Sequence, residues 1–456
     1  MKIHLHHLAL ATLLAACGDN GPAVDDLDAA PGADASPDAD PSQLTSGERA
    51  IAGTLSPLAP VPADPTNAFA DSAAAARLGQ MLFFDKSYAG PLVVGDDGSN
   101  GGLGRIGETG KVACHSCHGV GSGALDDQRT RPNHVSLGTN YGTRNALGLV
   151  DSSFQRWTNW GGRFDSQWSL PLAVSENAAI MRSTRLQIAH LLFAKYRAEY
   201  DAAFPVALDP ALDPTSPNAG RFPPSGRPKA NAADPDGPWE LMTEADRQIV
   251  LRIWVNYGKA LAAYTRTLVS RDAPFDRFIG GDEHAISPAA RRGLKTYLVA
   301  CVSCHDGPAL TDGQFHALGV PQTGTGVPAT DLGRFQDVPA LLASPFNSDG
   351  PWSDDRTTGR LTGLAQADAQ RGTFRTPTLR GVATSPPYMH SGQLATLEAV
   401  VAFYNAGGGE VPAGVTKDPR LHPLALSPAQ QADLVELLRT FTGQPVPASR
   451  LADISK

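Results

Sequence analysis

The sequence is poor in several features that would assign it to a common class. Only five cysteines occur among 456 residues, and 38 Lys and Arg stand against 46 Asp and Glu, so no basic surface for nucleic acid is expected. The apolar run at residues 8–16 is too short to span a membrane as a mature helix. Strand-like alternation is scarce, and a hydrophobic content of 41% excludes a disordered or fibrous chain. What remains is a mostly α-helical globular protein with room for two domains.

The first 48 residues have the composition of an export and tethering segment. Lys2 and the apolar run predict a signal peptide over residues 1–16, and Leu-Ala-Ala-Cys before residue 18 resembles a bacterial lipobox. We therefore expect Cys17 to carry a lipid that anchors an exported, periplasmic protein to the inner or outer membrane; an ordinary secretory signal with a chance cysteine is the alternative. Residues 18–41 hold seven Asp and no Lys or Arg, so residues 17–48 are predicted to form a disordered acidic tether.

The other four cysteines form two Cys-x-x-Cys-His motifs, which is the attachment pattern of c-type haem. In a helical turn, positions i and i+3 present both thiols to the porphyrin edge, and the histidine at i+4 lies on the same side to ligate iron. A zinc site would not need a histidine after each pair, and a thioredoxin-like site would leave one motif unexplained. We therefore predict two covalently bound haems, held by Cys114, Cys117 and His118 and by Cys301, Cys304 and His305.

Composition and periodicity divide the remaining chain at a Pro/Gly/Asp-rich stretch, residues 205–238. We predict an N-terminal haem domain over residues 49–238, a C-terminal haem domain over 239–446 and a tail over 447–456. A strong helical pattern at 243–269, capped by Thr243, should open the second domain, and a second helix is predicted at 428–443. Long loops are expected over each haem.

Several segments outside the two motifs resemble the bacterial dihaem cytochrome c peroxidase/MauG superfamily. The resemblance covers most of residues 70–443, and it implies two cytochrome c-like haem domains. Peroxide would react at the N-terminal haem, and the C-terminal haem would relay an oxidising equivalent. The resembling segments include LGQMLFFDKSYAG (78–90), TRN (143–145), WGGRFDS (160–166), APFDRFIGGD (273–282), GPALTDGQFHALGVP (307–321) and GTFRTPTLRGVATSPPYMHSGQLATLEAVVAFYNAGGG (372–409).

The same resemblance makes His118 and His305 the proximal iron ligands. In many members a second histidine blocks the first haem, but the matching position here is Thr139, and a hydroxyl is a poor haem ligand. This implies an open iron at the first haem. His134, five residues earlier, is either a competing sixth ligand or a surface loop histidine.

At the second haem, the family's axial position holds Tyr404. Peroxidases of the family have methionine there, whereas the MauG- and MbnH-like members have tyrosine, so the resemblance implies the His/Tyr-ligated subtype. The alternative role for Tyr404 is a buried aromatic of a helix, and nearby Met389 is expected to pack beside the haem. Trp160 matches the family tryptophan between the two haems, which makes it a candidate relay.

Two further expectations come from the resemblance. Asn145 and the backbone oxygens of Ser385 and Pro387 match a calcium site between the haems, and oxygen ligands suit that cation. Ile180 stands where the family has the acid that assists peroxide cleavage. Glu176, four residues earlier, could reach the haem if this segment is helical, or it could be a plain solvated residue.

The resemblance as a whole implies an oxidase that uses hydrogen peroxide. The two haems would reach a bis-Fe(IV)-type state and oxidise a side chain of a partner protein, such as tryptophan, by long-range electron transfer. One alternative is a cytochrome c peroxidase that takes electrons from a small cytochrome. The other is a non-enzymatic dihaem electron carrier, which the missing acid at Ile180 would suit.

Overall fold

The computed structural model describes residues 40–100, 102–119 and 129–456. The predicted signal peptide, the predicted lipid site Cys17 and most of the predicted tether lie outside these residues. From Ser42 to Lys456 the chain forms one compact unit. None of the helices in the described part is long and apolar enough to cross a bilayer.

The prediction of a mostly helical fold is confirmed. The only regular strands in the described residues are β1 (Phe315–His316) and β2 (Phe374–Arg375), which pair antiparallel with Phe315 opposite Arg375. Long irregular segments join the helices. These helices are α1 (Ser46–Gly53), α2 (Ala73–Phe84), α3 (Ser169–Glu176), α4 (Arg185–Lys195), α5 (Arg197–Ala203), α6 (Glu244–Thr265), α7 (Pro274–Ile279), α8 (Pro288–Ala300), α9 (Arg334–Leu342), α10 (Leu397–Asn405), α11 (Pro428–Arg439) and α12 (Ala448–Leu451).

The first hydrophobic core is built around α2 and α6. Thr243 caps α6 as its sequence predicts, accepting a hydrogen bond from Asp246 N at 3.2 Å. Gly79 lets the two helices approach closely, because a Cβ there would lie 2.0 Å from the carbonyl oxygen of Ala260. The helix that the sequence assigned to the second domain therefore packs in the first core, and the boundary at residues 238/239 stays a prediction.

The second core repeats this arrangement with α8 and α11. Gly293 lies against α11, where a Cβ would be 2.1 Å from the carbonyl oxygen of Asp433. Side chains of α7 and α10 complete the core, with Phe275 and Phe278 from α7 fully buried. Helix α8 ends at Ala300, directly before Cys301 of the second motif, and α2 contacts the turn that begins at Cys114 of the first motif.

The amino-terminal end of the described chain packs in the second core, and its carboxyl-terminal end packs against the first core. Leu44, Ala52 and Leu55, in and around α1, belong to the second core, so helix begins within the last three residues of the predicted tether. At the other end, Gln80 Nε2 on α2 donates to the carbonyl oxygens of Ser449 at 2.8 Å and Ala452 at 2.9 Å. The segment predicted as a tail is therefore tied to the first core.

Candidate functional site

Both Cys-x-x-Cys-His motifs form a helical turn, as their spacing predicts. In the first motif, His118 N donates to Cys114 O at 3.0 Å; in the second, His305 N donates to Cys301 O at 2.9 Å. This i to i+4 bond brings the histidine under the first cysteine of its motif. None of the four cysteines of the motifs is in a disulfide, which agrees with their predicted use in thioether bonds to haem.

The two motif histidines are oriented in the same way. His118 Nδ1 lies 2.8 Å from Leu147 O, and His305 Nδ1 lies 3.1 Å from Leu310 O. A carbonyl oxygen can only accept, so each Nδ1 carries the hydrogen and each Nε2 keeps its lone pair for a metal. Burial lowers the pKa of both imidazoles, which keeps them neutral. Both side chains therefore suit the role of proximal iron ligand.

A cavity of about 710 Å³ lies beside the second motif and has the size of a cofactor site. Its wall includes both cysteines of that motif, His305, Met389 and Tyr404. The Tyr404 hydroxyl makes no hydrogen bond within the described residues, and burial, with the nearby thiols, raises its pKa well above the ordinary value. Both candidate axial side chains thus face one cavity, and the choice of Tyr404 stays a prediction.

Arg375 is a residue of this cavity that the sequence did not single out. It is 3% exposed, and its Nη2 has no hydrogen-bond partner in the described part of the chain. Burial lowers its pKa to about 10, so the guanidinium remains charged at neutral pH. A buried cation without a counter-charge fits a carboxylate-bearing ligand, and haem carries two propionates. The chemistry of the wall therefore fits haem.

The rim of the same cavity carries a charged cluster, which the sequence also did not reveal. His316 bridges Asp312 Oδ2 at 2.9 Å and Asp418 Oδ2 at 2.8 Å, and Arg420 Nη2 lies 2.8 Å from the latter oxygen. Cys304 Sγ is within 4.8 Å of the Asp312 and His316 ligand atoms. Because haem attachment uses that thiol and Arg420 already neutralises the acids, we assign this group as a charge cluster and not as a metal site.

Trp160 lines the cavity at the second motif and is bonded to the segment that holds the histidine of the first motif. Its indole Nε1 donates to Asn145 O at 2.8 Å, and the ring lines the second cavity. Two residues further along the chain, Leu147 O holds the His118 imidazole. One short segment therefore touches both the indole and the histidine of the first motif, which is the placement a relay requires.

Among the predicted calcium ligands, Asn145 already has hydrogen-bond partners within the chain. The Asn145 amide is satisfied within the chain, with Nδ2 donating to His134 O at 3.0 Å and Oδ1 accepting from Gly392 N at 3.1 Å. Ser385 and Pro387 line the cavity. Calcium at this position stays a prediction, because Asn145 has its partners without a cation.

His134 is buried, not a surface loop residue. It is 7% exposed, both ring nitrogens lack a partner within the described residues, and its ring contacts Tyr141 with centroids 4.9 Å apart. Thr139, which replaces the blocking histidine of the family, is also buried, and its hydroxyl donates to Ala178 O at 3.3 Å. This hydroxyl is already committed to the protein.

The helical face expected to bring Glu176 beside Ile180 does not exist. Helix α3 ends at Glu176, and Ile180 lies in the following loop, where its carbonyl oxygen accepts from Thr139 N at 2.8 Å. Arg185 takes both carboxylate oxygens of Glu176, at 2.9 and 2.7 Å. Glu176 is therefore engaged in an ion pair at the start of α4, and its role as distal acid stays a prediction.

Comparison with known proteins places this site among dihaem proteins. Residues 73–222 match the family model described as di-haem cytochrome c peroxidase. The chain is 37% identical over 201 residues to cytochrome-c peroxidase IdrP1 of Denitromonas iodatirespirans, which covers 40% of this chain and 48% of that protein. It is 35% identical over 188 residues to the methylamine utilization protein MauG of Methylorubrum extorquens, which covers 41% and 44%. The chain thus spans less than half the length of these curated relatives.

A solved structure supports the fold over a longer range. A MauG-like protein associated with microbial copper homeostasis aligns with 88% of this chain and 99% of its own, with a TM-score of 0.56 and 22% identity. At this identity the likeness concerns the fold alone. The family match over residues 73–222 and the partial matches to the curated relatives make this chain similar to the di-haem cytochrome c peroxidase/MauG family.

Proposed function

We propose that the protein is a peroxide-dependent dihaem oxidoreductase of the MauG-like type. It would use hydrogen peroxide to oxidise a side chain of a partner protein, with tryptophan as the expected target. We place it on the periplasmic side, anchored through a lipid on Cys17. The match of residues 73–222 to the di-haem family model supports the dihaem chemistry, and the MauG relative supports the choice of subtype.

The observation that carries this proposal is the Tyr404 hydroxyl, which shares a cavity with His305 and has no hydrogen-bond partner in the described residues. A phenolate is an anionic oxygen ligand, and it favours a higher oxidation state of iron than a thioether does. Such a ligand suits a haem that stores an oxidising equivalent better than a haem that only transfers electrons to the first haem.

Haem would supply the peroxide chemistry, and the protein side chains would position it. His118 and His305 would each offer Nε2 to an iron because their Nδ1 atoms are held by backbone carbonyls. Thr139 would leave the far side of the first haem open, since its hydroxyl is bonded to Ala178 O. Arg375 would pair with a propionate, and Trp160 would connect the two centres.

The test compares Tyr404→Phe with Met389→Leu in the holoprotein. We expect Tyr404→Phe to keep both haems but to lose the near-infrared absorption that follows peroxide, whereas Met389→Leu should keep it. Electron paramagnetic resonance of the untreated ferric protein should contain a high-spin signal from the open first haem. Loss of the near-infrared band in Met389→Leu, with Tyr404→Phe unaffected, would overturn the ligand assignment.

A second candidate function is reduction of peroxide with electrons from a small cytochrome. It is favoured by Met389, which lines the same cavity as Tyr404, and by the peroxidase names of several relatives. Steady-state turnover with reduced cytochrome c separates the two. Fast turnover that depends on Met389 would support the peroxidase, and slow turnover with oxidation of a partner protein would support the MauG-like function.

A further inference from the structure

Two tryptophans three residues apart, Trp157 and Trp160, have opposite electrostatic surroundings. Trp157 is partly exposed, and two guanidinium carbons lie over its ring, Arg334 at 4.4 Å and Arg156 at 4.9 Å from the centroid. Trp160 has no cation over its ring in the described part of the chain, and its indole Nε1 donates to Asn145 O. The same side chain is therefore placed under positive charge at one position and beside a carbonyl at the other.

The positive charge over Trp157 is not neutralised by an ion pair within the described residues. Arg156 donates to the carbonyl oxygen of Arg360 at 2.5 Å, and Arg334 donates to that of Gly162 at 2.6 Å. The nearby carboxylate of Asp337 is held by Arg144 at 2.7 Å. Burial lowers the pKa of Arg334 to about 10, so this guanidinium remains protonated at neutral pH.

A cation over an indole ring makes the ring harder to oxidise. The ring's π electrons attract a guanidinium, which stabilises the neutral indole. Removal of one electron gives an indole radical cation, and two positive groups within 5 Å of the centroid repel it. A hydrogen bond from Nε1 to a carbonyl has the opposite effect, because the acceptor stabilises the developing positive charge on the N–H.

We propose that Arg156 and Arg334 protect Trp157 from oxidation, so that oxidising equivalents between the two haem sites stay on Trp160. The two arginines are positioning residues that act through the Trp157 ring. This inference rests on the proposed function, since hydrogen peroxide supplies the oxidant. Peroxide takes up two electrons and two protons to give two water molecules. If Trp157 supplied the electrons, water would add one oxygen atom to the indole and release two protons.

Arg156 is the better position for a test because it is exposed, whereas Arg334 is buried against two glycine carbonyls. Arg156→Gln removes the charge, Arg156→Lys retains it, and Trp157→Phe in the Arg156→Gln protein identifies the modified residue. Each holoprotein is oxidised in two ways, by hydrogen peroxide and by a photogenerated ruthenium(III) polypyridyl complex that requires no peroxide. Peptide mass spectrometry then measures the fraction of Trp157 that carries added oxygen.

We expect Trp157 oxidation by the ruthenium oxidant to rise about tenfold in Arg156→Gln, and to stay at the wild-type level in Arg156→Lys. Added salt should raise oxidation in the wild type and reduce this difference, because the exposed guanidinium is screened. Equal oxidation of Trp157 in the wild type, Arg156→Gln and Arg156→Lys would overturn the inference. An equal rise in Arg156→Lys and Arg156→Gln would overturn it as well. If the ruthenium oxidant gave the expected rise in Arg156→Gln but hydrogen peroxide oxidised no residue, the inference would be retained and the proposed function rejected.

Discussion

The two haem-binding regions share a frame and differ in what surrounds it. Each has a helical turn, a histidine fixed through Nδ1 by a backbone carbonyl, and a pair of helices that cross at a glycine. Around the first motif lie buried aromatic hydroxyls, with Tyr88 Oη 3.9 Å from Cys114 Sγ and 3.3 Å from Tyr257 Oη. Around the second lies the charged cluster of Asp312, His316, Asp418 and Arg420.

The shared motif would attach haem in both regions, and the different surroundings would then set the chemistry of each. Neutral hydroxyl groups in a buried region provide little compensation for a change of charge at the iron. The second region instead surrounds its motif with fixed charges, which act directly on such a change. Under the proposed function, the first region would react with peroxide and the second would hold the oxidising equivalent.

The largest expected effect separates the two regions directly. His118→Ala should reduce the rate of peroxide reaction by about 100-fold or more, because it removes the iron ligand itself. His305→Ala should leave the first peroxide step within about threefold and should abolish the near-infrared band. Stopped-flow absorbance measures both, with a pyridine haemochrome assay to verify that each variant retains two covalent haems. An equal loss of peroxide reactivity in both variants would remove the proposed division between the regions.

A smaller effect is expected at the contact between them. Trp160→Phe keeps an aromatic ring but deletes the hydrogen bond to Asn145 O, so transfer of the oxidising equivalent should slow about tenfold or more. The initial peroxide reaction should be unchanged. Trp168→Phe is the matched control, because this buried indole donates to Thr66 Oγ1 at 3.1 Å in the first core. Equal slowing in both variants would indicate loose packing and not loss of a relay.

A pH-dependent stability is expected from His390, which lies between the regions. Its ring stacks on Phe374 with centroids 3.6 Å apart, Gln322 Nε2 lies 2.7 Å from its Nε2, and burial lowers its pKa to about 3. The unfolded chain binds this proton below a pH of about 6.5, whereas the folded protein does not until about 3. The free energy of unfolding should therefore fall as the pH drops through this window, by up to about 5 kcal/mol.

Urea titrations of the holoprotein at several pH values between 7 and 4 measure this effect. His390→Gln removes the titrating group, so the stability of that variant should depend less steeply on pH. A parallel loss of stability in the wild type and the variant would show that His390 is not the titrating group.

The smallest effect on activity is expected from Glu176→Gln. The Glu176 and Arg185 side chains are 16% and 9% exposed, and breaking this ion pair should lower the free energy of unfolding by about 2–4 kcal/mol. The rate of peroxide reaction should change less than about twofold. A loss of peroxide reactivity of tenfold or more, with the stability unchanged, would instead assign the carboxylate to the first haem.

The sequence predicted the features that depend on local spacing. The two haem turns and the capped helix from residue 244 follow from side chains three and four residues apart, and the family resemblance predicted that Tyr404 and His305 share a cavity. The charged cluster could not be found this way, because residues 312 and 418 meet only in the folded chain. The expectation that Glu176 and Ile180 share one face of a helix was wrong, because α3 ends at Glu176. The Glu176 carboxylate pairs with Arg185.

The crossing of the chain ends has a consequence for how the molecule can be divided. The second hydrophobic core includes α1, from the amino-terminal side of the chain. The first hydrophobic core includes the segment around α12, from the carboxyl-terminal side. If the chain were cut between residues 205 and 238, the amino-terminal half would lack the segment around α12, and the carboxyl-terminal half would lack α1. Single-haem pieces of this protein should be unstable in isolation, and the two halves should recover their stability only when expressed together.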